Sequence, residues 1–250
     1  MHRLLITGAG GTIGSVLRSG LQGTAEVIRL MDLRLLEAEP GEEVVVGDVR
    51  SLDDARQAVN GCDAVVHLAG IRQEAEFNAI LETNIRGTYS VFEAARLEGC
   101  RRIVFASSNH AVGYYPVEQV IGTDAPARPD TFYGLSKAFG EGLGSLYHDR
   151  DGLEAVCLRI GSFVAEPTEH RHLWTWLSHR DGVQLVRRSL EAPDVGFLVV
   201  FGVSNNRRSL WRRDGWDKLG YEPEDDAEAF AARVGDQQPY RFHGGDFARQ

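Results

Sequence analysis

The stretch "LLITGAGGTIG" (residues 4–14) decides the fold. "LLIT" (4–7) has the apolar, β-branched character of a strand buried on both faces. It breaks at once into a turn in which Gly8, Gly11 and Gly14 keep the spacing GxxGxxG, and an amphipathic run follows. Glycine permits the tight turn and a close backbone approach. The N-terminus of the following helix offers free N–H groups and the positive end of its dipole to a pyrophosphate. A glycine pattern alone is weak, but a strand before it and a helix after it supply the context of a dinucleotide loop.

Working outward, short apolar runs alternate with amphipathic ones. Strands are predicted at 27–32, 44–48, 64–70, 102–108 and 154–160, and helices near 13–21, 52–59, 75–98 and 131–149. That order calls for a parallel sheet with helices on both faces and right-handed crossovers. Past about residue 165 the rhythm changes. Residues 170–193 read as one or two helices, 196–204 as a strand, and 216–234 as a turn and a helix opened by "EDD". The fold class is therefore α/β, a Rossmann-like doubly wound parallel sheet over 1–165. Residues 166–250, too short for a core of their own, form a small substrate-capping region packed on it as one compact unit.

Composition narrows the function classes. A chain of 250 residues forms one large domain, or one with a small lobe. A net charge of −9 without a basic stripe argues against nucleic acid or an anionic membrane as partner. The arginine pairs 101–102, 187–188, 207–208 and 212–213 are scattered and read as solvated faces. Cys62, Cys100 and Cys157 have no metal-ligand spacing and leave one thiol over, as reduced structural cysteines of a cytoplasmic protein do. The first residues lack the features of a signal peptide, and no run nears the ~18 apolar residues of a membrane span.

The strand ends are the next candidates. Asp32 closes the second strand, 18 residues past Gly14. A carboxylate there accepts from the ribose hydroxyls of an adenosine and repels a 2′-phosphate, which favours NAD over NADP. Arg34 is positioned to counter that preference. Asp48 ends the third strand as an acceptor for the adenine amino group, with Val49 packing on the ring. Ala69 and Gly70 end the fourth strand and let a cofactor lie close to the backbone, while His67 is expected in the core.

Tyr133 and Lys137 in "FYGLSK" (132–137) are four positions apart, on one face of a predicted helix. A phenol with a pKa of about 10 needs about 4 kcal/mol of preferential stabilisation to act as a base near pH 7. A neighbouring ammonium in a water-excluding site supplies stabilisation of that order. Ser108 ends the fifth strand in "FASSN" and is placed to hold the oxygen that Tyr133 deprotonates. The ends of parallel strands are where such folds bind ligands.

This combination resembles the extended short-chain dehydrogenase/reductase superfamily, over roughly residues 1–165. "VFASSNHAVGYYP" (104–116), "PARPDTFYGLSKAFGE" (126–141), "LRIGS" (158–162), "WTWLSH" (174–179) and "FHGGDF" (242–247) are similar to one branch of it, the NAD-dependent uronate dehydrogenases. The resemblance implies oxidation of a hexuronic acid, galacturonate or glucuronate, at C1 to the aldarolactone. Tyr133, Lys137 and Ser108 are the implied catalytic residues. The implied cofactor set is Gly8, Gly11, Thr12, Ile13, Gly14, Asp32, Asp48, Val49, Leu68, Ala69, Gly70 and Asn84, with Tyr133 and Lys137. Asn109, His110, Ser162 and Phe247 are implied sugar contacts, and Arg171 the holder of the carboxylate. An arginine suits that task because its planar fork meets a carboxylate bidentately and stays charged. A homo-oligomer paired through the helices 75–98 and 131–149 is expected from the same likeness. His170, His172 and His179 lack a further ligand to make a metal site.

One departure stands out. The branch usually carries a serine after "GGI" or "GGV"; this chain reads "AGIRQE", with Arg72 at that place. Arg72 either adds a second cation for an acid or redirects specificity. Three rival readings share the fold: an aldose dehydrogenase, a sugar epimerase or dehydratase, and a catalytically silent NAD-binding module. A dehydratase needs an acid beside the tyrosine, which "ASSNH" lacks. A silent module would have lost Tyr133 or Lys137, and both are present.

Overall fold

The computed structural model describes residues 1–235 and 240–249. In chain order, β1 (Arg3–Thr7) runs into α1 (Thr12–Gly20), β2 (Val27–Asp32), β3 (Glu42–Val46), α2 (Leu52–Val59) and β4 (Ala64–His67). Next come α3 (Phe77–Ile80), a π-helical turn (Leu81–Arg86), α4 (Gly87–Leu97), β5 (Arg102–Ser108), α5 (Phe132–Asp151) and β6 (Glu154–Ile160). The rest comprises β7 (Ser162–Phe163), α6 (His172–Thr175), β8 (Trp176–Leu177), α7 (His179–Glu191), β9 (Phe197–Gly202), α8 (Trp216–Leu219) and α9 (Ala231–Val234).

Seven strands form one sheet in the order β3-β2-β1-β4-β5-β6-β9, and every neighbouring pair is parallel. The order reverses between β1 and β4, which opens a crevice at their carboxyl ends. Alternate side chains feed two cores. Leu4, Ile6 and Val104 pack with Leu17 of α1 and Leu185 of α7. Leu5, Val65 and Phe105 pack with Ala55 of α2, Phe92 of α4 and Leu143 of α5. The strands read as continuous apolar runs because both faces are covered.

Several boundaries differ from the sequence reading. β3 covers Glu42–Val46 rather than 44–48, because the Asp48 N–H leaves the ladder for Asp54 Oδ2 at 2.9 Å. β4 stops at His67, and the Ala69 N–H turns to Thr7 Oγ1. The expected helix 75–98 is interrupted by the π-helical turn, from which the Asn84 amide bonds both the N–H (2.8 Å) and the carbonyl (2.9 Å) of Ile71. Residues 170–193 form α6 and α7, but β8 intervenes and pairs with β7. The "EDD" opening is a 3₁₀ turn at Ala227–Phe230 capped by Asp226, followed by α9.

Beyond residue 165, α7 and β9 extend the sheet and its core. The other segments bury Leu173, Trp174, Trp176, Ala227, Val234 and Tyr240 in a satellite cluster. Among the described residues, no helix is long and apolar enough to cross a membrane.

The first loop depends on backbone contact. A Cβ on Gly14 would lie 2.5 Å from the Ala9 carbonyl oxygen and 2.7 Å from Ala9 Cα. Backbone cannot swing away as a side-chain tip can. Gly14→Ala is therefore expected to cost about 1–3 kcal/mol, read as a lower urea midpoint. An unchanged midpoint would show that the loop does not hold α1 as described.

Candidate active site

The crevice begins at Gly8, whose φ of +67° lies in the left-handed region. A methyl there would lie 2.8 Å from the backbone of Ala69, so β1 and β4 meet closely at their ends. α1 starts with Gly11 at its cap, which offers no side-chain acceptor, and its first turn holds no acid. By contrast α2, α5 and α7 are capped by Ser51, Thr131 and Ser178. The free donors and dipole of α1 suit an anion. Asp32 is held ready beside them, accepting from the Gly10 N–H (3.0 Å) and the Arg34 N–H (3.2 Å).

A cleft of about 510 Å³ runs from this loop past Asp32, Asp48 and Val49 to Leu68, Ala69 and Gly70. The Arg34 guanidinium stays exposed, 3.7 Å from Asp32. Arg50 is bonded to Asp48 at 2.8 Å and holds its carboxyl below the usual range. Asp48 is thus already engaged, and it lies past the strand rather than at its end. Asn84 does not line the cleft: its amide is spent on Ile71 and Ser136.

A second cavity of about 280 Å³ joins the first and shares Thr12, Ile13, Leu68, Gly70 and Arg72 with it. It brings together Ser108, Asn109, His110, Tyr133, Lys137, Ser162 and Arg171. Phe247 lies behind this wall, its ring 4.3 Å from the ring of His110. His67 is buried at 1% exposure and bonded to Thr7 and Thr88, and burial, with the charge of Lys137, pushes its pKa down to about 3.

α5 delivers Tyr133 and Lys137. Thr131 caps it, accepting from the Gly134 N–H at 2.9 Å. Glu74, in the loop after β4, accepts from the N–H groups of Phe132 (3.3 Å) and Tyr133 (3.0 Å). Below the site Glu141 takes a fork from Arg159 of β6 (2.9 and 2.9 Å) and a bond from Ser107 of β5 (2.6 Å). A Cβ on Gly140 would overlap the Phe105 ring, so the helix lies directly on β5. Glu74, Glu141 and Arg159 escaped the sequence reading because each finds its partner through the tertiary fold.

Tyr133 and Lys137 are 8% and 7% exposed. The Lys137 Nζ lies 5.4 Å from the Tyr133 ring centroid and 5.1 Å from that of Phe105, and no hydrogen bond from it is found among the described residues. The expected lowering of the phenol is not present in the free protein. Burial pushes Tyr133 up to about 12, against a smaller opposing effect of its bond with Ser108, and burial pulls Lys137 down to about 8. Desolvation dominates both shifts, because burial in low dielectric disfavours the charged form of each group.

Arg171 is partly buried. It donates to Ser162 Oγ (3.3 Å) and to the His243 carbonyl (3.0 and 3.3 Å). With the Asn109 amide turned to satisfy its neighbours, its oxygen accepts from Arg171 at 2.7 Å and its nitrogen donates to the Ile160 carbonyl at 3.1 Å. No acidic side chain pairs with Arg171 among the described residues, and its withdrawal from water pulls its pKa down. Arg72 is exposed, with Nη1 3.3 Å from Thr12 Oγ1. The two arginines therefore occupy different places, one inside the smaller cavity and one where the cavities join.

Residues 4–194 match the model of the NAD dependent epimerase/dehydratase family. The chain belongs to this family. Within it, the chain is 44% identical to the uronate dehydrogenase of Pseudomonas putida strain KT2440, covering 99% of this chain and 96% of the relative. It is 46% identical to the uronate dehydrogenase of Agrobacterium fabrum strain C58, covering 99% and 97%. A crystal structure of a mutant uronate dehydrogenase from Agrobacterium tumefaciens, complexed with NAD, superposes with a TM-score of 0.97 at 45% identity, over 100% of this chain and 98% of that one. The residues present fit the family's dinucleotide: an uncapped helix start, a cleft walled by glycine and valine, a poised Asp32, and an ammonium with no hydrogen-bond acceptor among the described residues.

That ammonium makes a prediction. Lys137→Met is expected to stabilise the cofactor-free protein at neutral pH by about 1–3 kcal/mol, because a buried, unpaired charge is removed. The folded-state pKa is depressed, so wild-type stability climbs as pH rises from about 8 towards 10.5 and the advantage of the variant fades. Urea midpoints across that range test this. A gain independent of pH, or none, would contradict it.

Proposed function

We propose that the protein oxidises a hexuronic acid, galacturonate or glucuronate, at C1 to the aldarolactone. The observation that carries this reading is Arg171, a guanidinium without an acidic partner among the described residues, in one cavity with Tyr133 and Ser108. A sugar carboxylate supplies a direct ion pair, where Glu169, Asp130 and Asp246 act on Arg171 only through space. Ser108 holds the C1 hydroxyl, Lys137 favours the phenolate form of Tyr133, and that phenolate takes the hydroxyl proton to become the phenol. NAD, when bound, accepts the hydride that leaves C1. Asn109 and Ser162 fix the Arg171 fork, and the segments past residue 165 close the cavity around the sugar. Buried Cys62, Cys100 and Cys157 fit a reducing, cytoplasmic setting.

The proposal extends to assembly with a second copy of the chain. Phe132, Leu135, Phe139 and Leu146 form an exposed apolar stripe on α5, joined by Phe77 and Tyr89. A stripe of that kind asks for a partner. Leu135→Asp with Phe139→Asp is expected to halve the mass measured by light scattering. An unchanged mass would rule out this face.

Turnover is tested with NAD and a panel of uronates, neutral hexoses and nucleotide sugars, following NADH absorbance. Uronate-dependent reduction without turnover of the neutral hexose is expected. NAD binding with no turnover of any sugar would favour the silent module. Arg171→Ala is expected to cut kcat/KM for the uronate roughly a hundredfold or more, and Tyr133→Phe to cut it by roughly 10²–10⁴ with NAD affinity kept. Arg72→Ser separates the roles open to that residue: a higher KM for the uronate marks a sugar contact, and weaker NAD binding alone marks a cofactor contact.

A further inference from the structure

His110 Nδ1 lies 2.8 Å from Asp130 Oδ2, and the Asp130 side chain is fully buried. Its other oxygen accepts from Thr131 Oγ1 at 3.0 Å. Glycines make the room: a Cβ on Gly113 or Gly244 would overlap Asp130 Oδ2, and one on Gly134 would lie 3.1 Å from Oδ1. Gly244 belongs to the segment that lays Phe247 on His110, so two distant parts of the chain are shaped around this carboxylate. On the far side of the ring, Nε2 has no hydrogen-bond partner among the described residues, and His110 lines the cavity that holds Arg171 and Tyr133.

A carboxylate only accepts, so the proton of a neutral His110 ring sits on Nδ1 and Nε2 presents a lone pair. A lone pair takes a hydroxyl and repels a carboxylate. Arg171, in the same cavity, only donates and carries positive charge, so it draws the carboxylate.

We propose that Asp130 is a positioning residue that fixes the Nδ1–H tautomer of His110, so that the cavity receives a sugar acid one way round, hydroxyl to His110 and carboxylate to Arg171. The role in orientation rests on the uronate reading; the tautomer does not. In Asp130→Asn, which keeps the shape, the Thr131 hydroxyl, a donor to Oδ1 in the wild type, holds the amide oxygen on its own side, so the amide nitrogen donates to Nδ1 and the ring proton moves to Nε2. The cavity then holds a second donor, and the carboxylate gains a wrong place to bind. Non-productive binding lowers kcat and KM together.

The test uses the full-length protein. Long-range ¹H–¹⁵N correlation spectra of ¹⁵N-histidine-labelled wild type, at mildly alkaline pH and without any sugar, are expected to show His110 protonated at Nδ1 and bare at Nε2. Asp130→Asn is expected to reverse that pattern, to lower kcat and KM for the uronate together by roughly fivefold or more, and to leave NAD affinity by calorimetry unchanged. A proton on Nε2 in the wild type overturns the proposal without need of a folded variant. An unreversed tautomer in Asp130→Asn, or a reversed one with uronate KM unchanged or raised, overturns it as well. If no uronate is turned over by the wild type, the functional reading fails while the spectra still decide the tautomer.

Discussion

The backbone of Gly8 lies against that of Ala69 so closely that one methyl group would intrude at 2.8 Å. This contact fixes how β1 and β4 end beside each other at the point where the strand order reverses. The α1 terminus, Asp32 and the tip of β4 all take their positions from it. The glycines here make room for backbone, and that requirement leaves a notch that no side chain fills.

Around the notch the protein maintains charges that a stability-optimised core would discard. Among the described residues, Lys137 is buried without a hydrogen-bond acceptor, and Arg171 is partly buried without an ion pair. Elsewhere buried ions are matched: Arg159 with Glu141, and Arg102 with Glu154 and two backbone carbonyls. The contrast sets matched structural ion pairs apart from two cations that line the cavity with no ion pair among the described residues. It also explains why the phenol of Tyr133 sits above its ordinary range in the free protein. The environment that will exclude water during reaction first penalises every charge placed in it.

Much of this was legible in the chain because it is local. The GxxGxxG loop needs only a strand and a helix around it, and the pair Tyr133 and Lys137 needs only helical spacing. Ser108 and Arg171 were visible through their surrounding strings. What stayed hidden depends on chain segments that meet only in the fold. Glu74 reaches the N–H of Tyr133 across 59 residues, and Asp130 reaches His110 across 20. Asp48 was read as an acceptor for the adenine amino group, and the fold adds a bond to it from Arg50 two positions on. The Asn84 amide also anchors the loop that bears Arg72 and Glu74, a contact that spacing alone does not show. Spacing indicated that a phenol and an ammonium are neighbours but could not give the balance between their attraction and their dehydration.

The Arg171 guanidinium rests on the His243 carbonyl, 72 residues further along. During ribosomal synthesis, therefore, most of the sheet can form while the sugar-side wall still lacks its support. A nascent chain that ends with β9 would hold Arg171 through Asn109 and Ser162 but not yet through the His243 carbonyl. The Gly-rich end of the crevice and the full bracing of Arg171 are thus completed at different moments in the birth of the molecule. The later of the two waits on a stretch of chain that contributes no strand to the central sheet.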